Sequence, residues 1–255
     1  MKKLTIIKIG GNVIDDERTL SQFLSSFAKI GGNKILVHGG GKIATQLSSQ
    51  LGFETKMVDG RRITDAETLK VATMVYAGWI NKSITAALNS KNCESIGLCG
   101  ADLLLIPSEK RKKTNVDYGF VGEVLESKIN TKFLELILTN NIVPVVAPIT
   151  SDYTGQLLNT NADTIASALA VALSTLYEVK LIYSFEKDGV LNGEKVIGVI
   201  NPSVYDLLKK EKIITDGMIP KLDNAFLSIR KGVKEVVITN SSQILNQNAG
   251  TRITN

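Results

Sequence analysis

The chain of 255 residues has few of the side chains that most often carry acid-base or metal chemistry. It contains one histidine, His38, and two cysteines, Cys93 and Cys99. A metal site with several histidine ligands is therefore excluded, and a Ser-His-Asp triad would have to use His38. The two cysteines fit neither a disulfide framework nor a set of zinc ligands, and we interpret them as buried thiols. We accordingly expect chemistry that does not depend on histidine, and we assign no metal ligands.

Aromatic side chains and long apolar runs are also scarce. Aromatic residues make up 5% of the chain, and no uninterrupted apolar run approaches the roughly 20 residues that span a bilayer. The apolar stretch that follows the basic N-terminal residues is too short for the core of a signal peptide, which predicts a cytoplasmic protein. The net charge is +5, and the basic residues are spread along the chain apart from 110–113. Nucleic-acid and membrane partners are therefore not expected, whereas polyanionic small molecules are plausible ligands.

Short β-branched runs alternate with helical patterns, which predicts an α/β fold with parallel strands and crossover helices. The predicted strands are residues 4–9, 34–38, 141–149, 179–184 and 233–239. Residues 64–89 are predicted to form one long helix, opened by a capping box in which Thr64 pairs with Glu67. Residues 99–127 surround a basic segment and are predicted to form a solvated hairpin. The length permits one large domain or two fused lobes that meet near residue 150 without a linker.

Two of the predicted strands end in glycine turns that can approach an anion. The strand at 4–9 contains Lys8 and runs into Gly10 and Gly11. Because an unpaired ammonium is costly in a buried strand, Lys8 is expected to have an anionic partner, unless the strand lies at an edge of the sheet. The strand at 34–38 runs into glycines 39–41 and a predicted helix, which favours a phosphate or carboxylate site.

Two later segments place polar or charged side chains at helix N-termini. Asn161 suits an N-cap and Asp163 the first turn of its helix, while Asn159 precedes them as a second polar group; capping alone could explain this pattern. Pro220 suits a first turn, so Lys221 stands near a helix N-terminus, where a cation is electrostatically disfavoured. A negative group is expected to compensate for Lys221, although an exposed surface position would also explain it.

Taken together, the segments KIGGN, VHGGGK, DGRRIT, LNTNAD and ITDGMIPK resemble the N-acetyl-L-glutamate kinases, which belong to the amino-acid kinases. The segments occur in the order and spacing of that family over nearly the whole chain. The resemblance implies a single domain with a three-layer α/β/α sandwich around a central, mostly parallel sheet. Its N-terminal lobe, about 1–150, would bind the acylated amino acid and dimerise, and its C-terminal lobe, about 151–255, would bind ATP and Mg²⁺. The implied reaction is ATP-dependent phosphorylation of the side-chain carboxylate of N-acetyl-L-glutamate in arginine biosynthesis.

The resemblance also implies roles for individual residues. Lys8 and Lys221 would neutralise the transferring phosphoryl group, and Asp163 would hold both lysines in place. The implied binding residues are Gly40, Gly41, Arg62 and Asn159 for the amino-acid substrate, and Gly10, Gly11, Gly217 and Met218 for the nucleotide. A glutamate carboxylate, with a pKa of about 4.3, is already ionised at neutral pH, so the absence of a candidate general base is expected. Phosphoryl transfer needs alignment and charge neutralisation more than covalent help from the protein.

Two departures from the family pattern leave alternatives open. The segment YSFEKDG stands where the family usually has a pattern like TDVxGV, so we assign no nucleotide contacts there, and a noncatalytic sensor of nucleotide or amino acid is an alternative. Arg61 stands where the family typically has leucine, and it could pair with a second carboxylate. N-succinyl-L-glutamate is therefore an alternative substrate.

Two further expectations concern assembly and a rival class of protein. The first strand begins near residue 4, whereas arginine-inhibited hexameric members carry an extra N-terminal helix, so the resemblance implies a homodimer that arginine does not inhibit. Gly39, Gly41 and Ala44 also match a looser dinucleotide pattern, with Asp59 at a suitable distance. A dehydrogenase built on that pattern would leave Lys8, Asp163 and Lys221 without a role.

Overall fold

A computed structural model describes residues 1–58, 61–113, 115–214 and 218–255, and within them the side chains of all residues except Arg61 and Pro220. The strands are β1 Lys2–Ile9, β2 Asn33–His38, β3 Met57–Val58, β4 Arg61–Arg62, β5 Ser95–Cys99, β6 Ser108–Lys110, β7 Gly122–Val124, β8 Val143–Ala147, β9 Ile149–Ser151, β10 Leu157–Asn159, β11 Tyr177–Phe185, β12 Leu191–Asn192, β13 Lys195–Val196, β14 Val199–Ile200, β15 Glu235–Asn240 and β16 Thr251–Ile253. The α-helices are α1 Gly11–Ile14, α2 Glu17–Ala28, α3 Gly41–Gln50, α4 Ala66–Thr73, α5 Asn81–Asn89, α6 Thr131–Thr139, α7 Ala162–Leu173, α8 Pro202–Lys210 and α9 Ile219–Arg230.

The central sheet of the described residues has eight strands in the order β14-β16-β15-β11-β1-β2-β8-β5. Its neighbouring strands are parallel except β15 and β16, which are antiparallel. All five predicted strands belong to this sheet, and the predicted mostly parallel arrangement is confirmed. The segment predicted as one strand at 141–149 is interrupted at Pro148: β8 stays in the central sheet, whereas β9 pairs with β10. Pro148 lies between the two strands, whereas Pro144 lies within β8 and leaves that strand intact.

The helices cover both faces of the sheet, and each face has its own hydrophobic core. One core joins Leu4 and Ile6 of β1 to apolar residues of α6, α7 and α9. The other joins Ile7 and Ile9 of the same strand to residues of α2, α3, α4 and α5. This three-layer α/β/α arrangement confirms the predicted fold class. Because side chains alternate along a strand, Lys8 shares the face of Leu4 and Ile6 and therefore points toward the layer that contains α7.

The predicted long helix at 64–89 consists of α4, a π-helical segment Met74–Ile80 and α5. The predicted capping box was wrong. The N-cap is Asp65, whose carboxylate accepts the Thr68 N–H at 2.8 Å. Thr64 instead lies before the helix, where its hydroxyl donates to the Arg62 carbonyl and accepts from the Asn159 amide. The sequence Thr-Asp offers two possible caps, and the tertiary contact with Asn159 fixes which one is used.

The segment 99–127, the two cysteines and the lengths of the helices were also subjects of sequence predictions. Strands β6 and β7 form an antiparallel hairpin within 99–127, as predicted. Cys93 is a buried thiol, whereas Cys99 is only half-buried. Among the described residues, none of the helices is long and apolar enough to cross a membrane.

His38 ends β2 inside the protein and is fully buried. Its Nδ1 lies 3.0 Å from the Gly39 carbonyl oxygen and donates to it, so Nε2 accepts from the Asn81 amide at 3.1 Å. Burial lowers the pKa of His38 from 6.5 to about 4, with a smaller contribution in the same direction from the charge of Lys82, while the hydrogen bond to Gly39 acts the other way. His38 is thus a packed, neutral side chain that orients the start of the glycine turn.

This buried histidine predicts a loss of stability in mild acid. Between about pH 6.5 and 4 the unfolded chain takes up a proton that the folded protein does not, so the free energy of unfolding falls as the pH falls. At about pH 5 the loss due to His38 alone should be about 2 kcal/mol relative to about pH 7.5. Urea unfolding of wild type and His38→Gln at both pH values measures it. An equal pH dependence in the two proteins would contradict the prediction.

Candidate active site

A crevice opens at the carboxyl ends of β1 and β11, the two neighbouring strands at the centre of the sheet. After β1 the chain continues into α1 and α2 on one face, whereas after β11 it continues toward α8 and α9 on the other. Such a reversal leaves a crevice at the strand ends, where α/β proteins bind ligands. The cavity there has a volume of about 630 Å³. Its lining includes Lys8, Asp163 and Lys221, three residues predicted from separate parts of the sequence.

The carboxylate of Asp163 lies between the two lysines. Lys8 Nζ is 2.7 Å from Asp163 Oδ1, and Lys221 Nζ is 3.9 Å from Oδ2. The Asp163 and Lys8 side chains are 16% and 12% exposed, whereas that of Lys221 is 29% exposed. The structure therefore provides both lysines with the negative partner that their sequence positions required.

Local capping positions the Asp163 carboxylate. Asn161 is the N-cap of α7, and its side-chain oxygen accepts the backbone N–H groups of Asp163 and Thr164 at 2.8 and 3.1 Å. Because Asn161 satisfies the helix end, the Asp163 side chain is free to turn toward β1. Capping alone thus explains Asn161 but not Asp163.

Burial and the two neighbouring ammonium groups act in opposite directions on the pKa of Asp163. Burial alone would raise the pKa of this carboxyl, but the ammonium groups of Lys8 and Lys221 outweigh it and hold the pKa below its ordinary value of 3.8. Asp163 is therefore an anion at neutral pH. In turn, burial and the Asp163 charge raise the pKa of Tyr183, whose hydroxyl is hydrogen-bonded to Ser167.

A second cavity, of about 480 Å³, adjoins the first and shares Gly41, Met57 and Arg62 with it. The Arg62 guanidinium donates to the Gly41 carbonyl at 3.0 Å and to Thr45 Oγ1 at 2.8 Å through Nη2, and to Thr55 Oγ1 at 3.0 Å through Nη1. These bonds hold a planar, charged fork at the boundary between the two cavities, which suits a carboxylate.

The other predicted substrate-binding residues line this second cavity. Asn159 donates through its side-chain amide to Thr64 Oγ1 at 3.0 Å. Gly41 begins α3, where backbone N–H groups lack partners within the helix. Gly40, at the N-cap, has a φ of 138°, and a Cβ there would lie 2.1 Å from Cδ1 of the buried Ile80. The turn therefore depends on glycine for both its backbone conformation and its close packing.

The predicted nucleotide-binding residues are placed less uniformly. Gly10 and Gly11 line the first cavity, and the Gly10 N–H donates to the Ser184 carbonyl at 3.0 Å, which ties the end of β1 to β11. Met218 is the N-cap of α9 and packs against the core of its layer, outside the lining of the first cavity. Gly217 lies outside the described residues, as do Asp59 and the side chain of Arg61.

Several residues that sequence reasoning did not assign also line the first cavity. Phe185 and Glu186 belong to the segment that departs from the family pattern, and the Phe185 ring lies 5.7 Å from Lys221 Nζ. Asp15 and Lys42 also line this cavity, and Lys42 Nζ lies 3.5 Å from Asp15 Oδ2. The position of Lys42 at the start of a helix, directly after the glycines of VHGGGK, was a usable sequence signal. The position of Asp15 instead depends on the bend of the chain through α1.

Four cationic side chains, three glycines and three acidic side chains are among the residues that line the first cavity. No group of three or more His, Cys, Asp or Glu side chains in the described part of the chain is arranged to hold a metal ion. A parallel sheet whose central crevice gathers two lysines around a buried carboxylate, beside two glycine turns, is the arrangement expected of a protein that handles phosphate groups.

The chain belongs to the amino acid kinase family, whose model matches residues 3–240. It is 54% identical over 256 residues to a protein of Phocaeicola vulgatus named acetylglutamate kinase, covering 99% of this chain and 98% of that protein. A protein of the same name from Cytophaga hutchinsonii is 52% identical over 263 residues, covering 99% of each chain. The crystal structure of smu.665 from Streptococcus mutans UA159 superposes with a TM-score of 0.80 at 28% identity, covering 100% of this chain and 99% of that one. The resemblance found in the sequence motifs is thus confirmed.

The glycine turn between the two cavities generates a stability prediction. In Gly40→Ala, the new methyl group meets Ile80 and the backbone stays in a conformation that alanine disfavours, so the free energy of unfolding should fall by about 1 to 3 kcal/mol. The matched control is Gly39→Ala, where a Cβ would meet no described atom within 4 Å, and where φ lies outside the left-handed region. Urea unfolding of both variants tests this. Equal stabilities for the two would contradict the packing described above.

Proposed function

We propose that this protein transfers the γ-phosphoryl group of MgATP to the side-chain carboxylate of N-acetyl-L-glutamate. The observation that carries the proposal is the placement of Lys8 and Lys221 around Asp163 in a cavity that adjoins a second cavity with a guanidinium at its boundary. The first cavity would hold the phosphates, and the second would hold the acylated amino acid. Proteins named acetylglutamate kinase that are more than half identical to this chain support the same reaction.

The reaction would need little covalent help from the protein. A carboxylate oxygen of the substrate attacks the γ-phosphorus, the bond from that phosphorus to the bridging oxygen of ADP breaks, and acyl phosphate and ADP result. The substrate carboxylate is already ionised at neutral pH, so no side chain has to remove a proton. We assign to Lys8 and Lys221 the neutralisation of charge on the transferring group, and to Asp163 the placement of both ammonium groups.

The remaining predicted residues would orient the substrates. Arg62 would donate hydrogen bonds to a carboxylate of the amino acid, and Asn159, which also lines the second cavity, would form a hydrogen bond with the same substrate. Gly11, Gly40 and Gly41 would offer backbone N–H groups to oxygen anions at the starts of α1 and α3. We further propose that Mg²⁺ arrives bound to the phosphates of ATP, since this ion keeps several waters and readily takes phosphate oxygens as ligands.

The alternatives raised by the sequence are less well supported. The names of the relatives favour N-acetyl- over N-succinyl-L-glutamate. A dehydrogenase would leave the buried ion pairs of Lys8 and Lys221 without a use. A noncatalytic sensor would not need two cations around a carboxylate at the junction of two cavities.

Assembly and location complete the proposal. We infer a homodimer, because large apolar side chains are exposed on the π-helical segment: Met74 is 53% and Trp79 is 71% exposed. They are five positions apart on a segment whose hydrogen bonds join residues five apart, so they lie on one side. The edge strand β5 contacts this segment, and its Ile96 is 36% exposed. We assign acylglutamate binding and dimerisation to the N-terminal lobe and nucleotide binding to the C-terminal lobe. We assign the reaction to the cytoplasm, where ATP is consumed in biosynthesis.

The decisive assay incubates the protein with MgATP and an acylglutamate and traps the acyl phosphate with hydroxylamine. Acyl hydroxamate should form with N-acetyl-L-glutamate and depend on ATP, and an NAD-binding control should be negative. A higher kcat/KM for N-succinyl-L-glutamate would contradict the choice of acyl group. Absence of hydroxamate with either compound, while nucleotide still binds, would favour the sensor.

The same assay tests the two lysines. Lys8→Ala and Lys221→Ala should each lower kcat by about 10²- to 10³-fold, because each removes one preorganised positive group from the transferring phosphoryl. Lys8→Arg should also be impaired, since a planar fork does not replace a compact ammonium. The control is Lys3→Ala, an exposed position on the same strand, which should keep wild-type kcat. Wild-type kcat in both alanine variants at 8 and 221 would refute their roles.

Sedimentation velocity tests the dimer. Trp79→Glu should shift the protein from dimer to monomer, because it places a charge in the proposed apolar interface. Leu207→Glu is the matched control, since Leu207 of α8 is also exposed, at 50%, but lies on another part of the surface. A monomeric wild type, or a dimer that persists in the Trp79 variant, would contradict this interface.

A further inference from the structure

Lys42 and Asp15 line the phosphoryl cavity but have no part in the proposed function so far. Lys42 is the second residue of α3, and its ammonium reaches across to α1. There Nζ donates to Asn12 Oδ1 at 2.6 Å and lies 3.5 Å from Asp15 Oδ2. The lysine therefore connects the glycine turn after β2 to the one after β1, in the lining of the cavity that Lys8 and Lys221 also line.

Asp15 is the unusual member of this group. Its side chain is 17% exposed, and neither carboxylate oxygen has a hydrogen-bond partner within the part of the chain that the structure describes. A buried carboxylate is costly unless it is paired. The Lys42 ammonium is close enough to neutralise Asp15 but is not in hydrogen-bonding contact with it. The charge of Asp15 therefore holds the cation near the cavity without occupying its hydrogen-bond donors.

Lys42 retains capacity for another anion. An ammonium has three donors, and only the one to Asn12 is fully engaged. The Lys42 side chain is 65% exposed, the same fraction as that of Lys56. The two lysines differ in their partners: Lys56 lies 3.7 Å from Glu54, whose side chain is 80% exposed, which makes an ordinary surface pair of small energetic value. Lys42 instead faces a buried carboxylate and a cavity.

We propose that Lys42 is a third phosphate-binding lysine, held in place by Asp15 and Asn12, which contacts the terminal phosphates of MgATP. This inference rests on the proposed function. The arrangement resembles that of the first pair, because a buried aspartate lies beside an ammonium that lines the cavity. From its position between the two glycine turns, Lys42 would neutralise charge on the phosphate chain.

Calorimetric titration with a nonhydrolysable ATP analogue, AMP-PNP, and with ADP, both with Mg²⁺, tests the proposal. Lys42→Met keeps the length of the side chain and removes its charge, so Kd for AMP-PNP should rise by about 10-fold or more, as expected for loss of one charge-assisted hydrogen bond. Kd for ADP, which lacks the terminal phosphate, should change less. Lys42→Arg keeps the charge, and because the Lys42 side chain is 65% exposed, whereas that of Lys8 is 12% exposed, the larger guanidinium has room and binding should weaken about threefold or less. Lys56→Met is the matched control and should bind like wild type.

The outcomes separate this inference from the proposed function. If wild type makes no acyl phosphate or does not bind AMP-PNP, the proposed function fails. If wild type is active and Lys42→Met binds AMP-PNP as Lys56→Met does, or if Lys42→Met and Lys42→Arg are weakened equally, the role of Lys42 is refuted. Thermal unfolding of the same variants shows whether they are folded. Asp15→Asn provides a second variant: it should weaken AMP-PNP binding while Lys42 is intact, and unchanged binding would refute the positioning role of Asp15.

Discussion

The attraction between one buried carboxylate and two ammonium groups organises this protein. Asp163 lies in a desolvated position where an isolated anion would be costly, and Lys8 and Lys221 are the groups that make it tolerable. The dependence is mutual, because without Asp163 the two cations would repel each other across a poorly screened cavity. Two ammonium groups and one carboxylate leave a net charge of +1, which favours the binding of an anion. A phosphate that enters the site meets ammonium groups that are already fixed, so little reorganisation is needed when charge moves during the reaction.

Three distant parts of the chain, β1 and the starts of α7 and α9, have to come together for this interaction to form. The alternation of side chains along β1 directs Lys8 toward the layer of α7, on the same face as Leu4 and Ile6. The cap at Asn161 starts α7 at the level of the strand ends, which brings Asp163 to that lysine. Helix α9 begins beside them and contributes Lys221. Because the strands are parallel, the carboxyl end of β1 and the N-termini of α7 and α9 lie at the same edge of the sheet. The glycine turns leave room there for a ligand.

Much of this could be predicted from the sequence, for identifiable reasons. The predicted strands are long, β-branched and buried within the sheet, so their pattern is strong. Strand β5 was not predicted: its SIGLC segment contains Gly97, lies at an edge and is only partly buried. Strand β16 has only three residues, too few for a pattern. The motif residues of the site were recognisable because they are charged or glycine at strand and helix ends. The contacts of Arg62 in β4 with Thr45 in α3 and with Thr55 depend on how these separate segments pack, which no local pattern specifies.

The π-helical segment between α4 and α5 has a consequence for how this chain can vary. The wide π-helical turn accommodates one residue more than an α-helical turn. The directions in which the side chains of α5 point around the helix axis depend on that additional residue. Asn81 follows at once, fully buried, with its amide shared among His38, the Leu98 carbonyl and the Val145 carbonyl. Loss of one residue would restore a regular α-helix and rotate Asn81 by about 100° away from all three. A surface loop can accept the insertion or deletion of a residue. The π-helical segment cannot, because a change of length there would break the hydrogen bonds of Asn81.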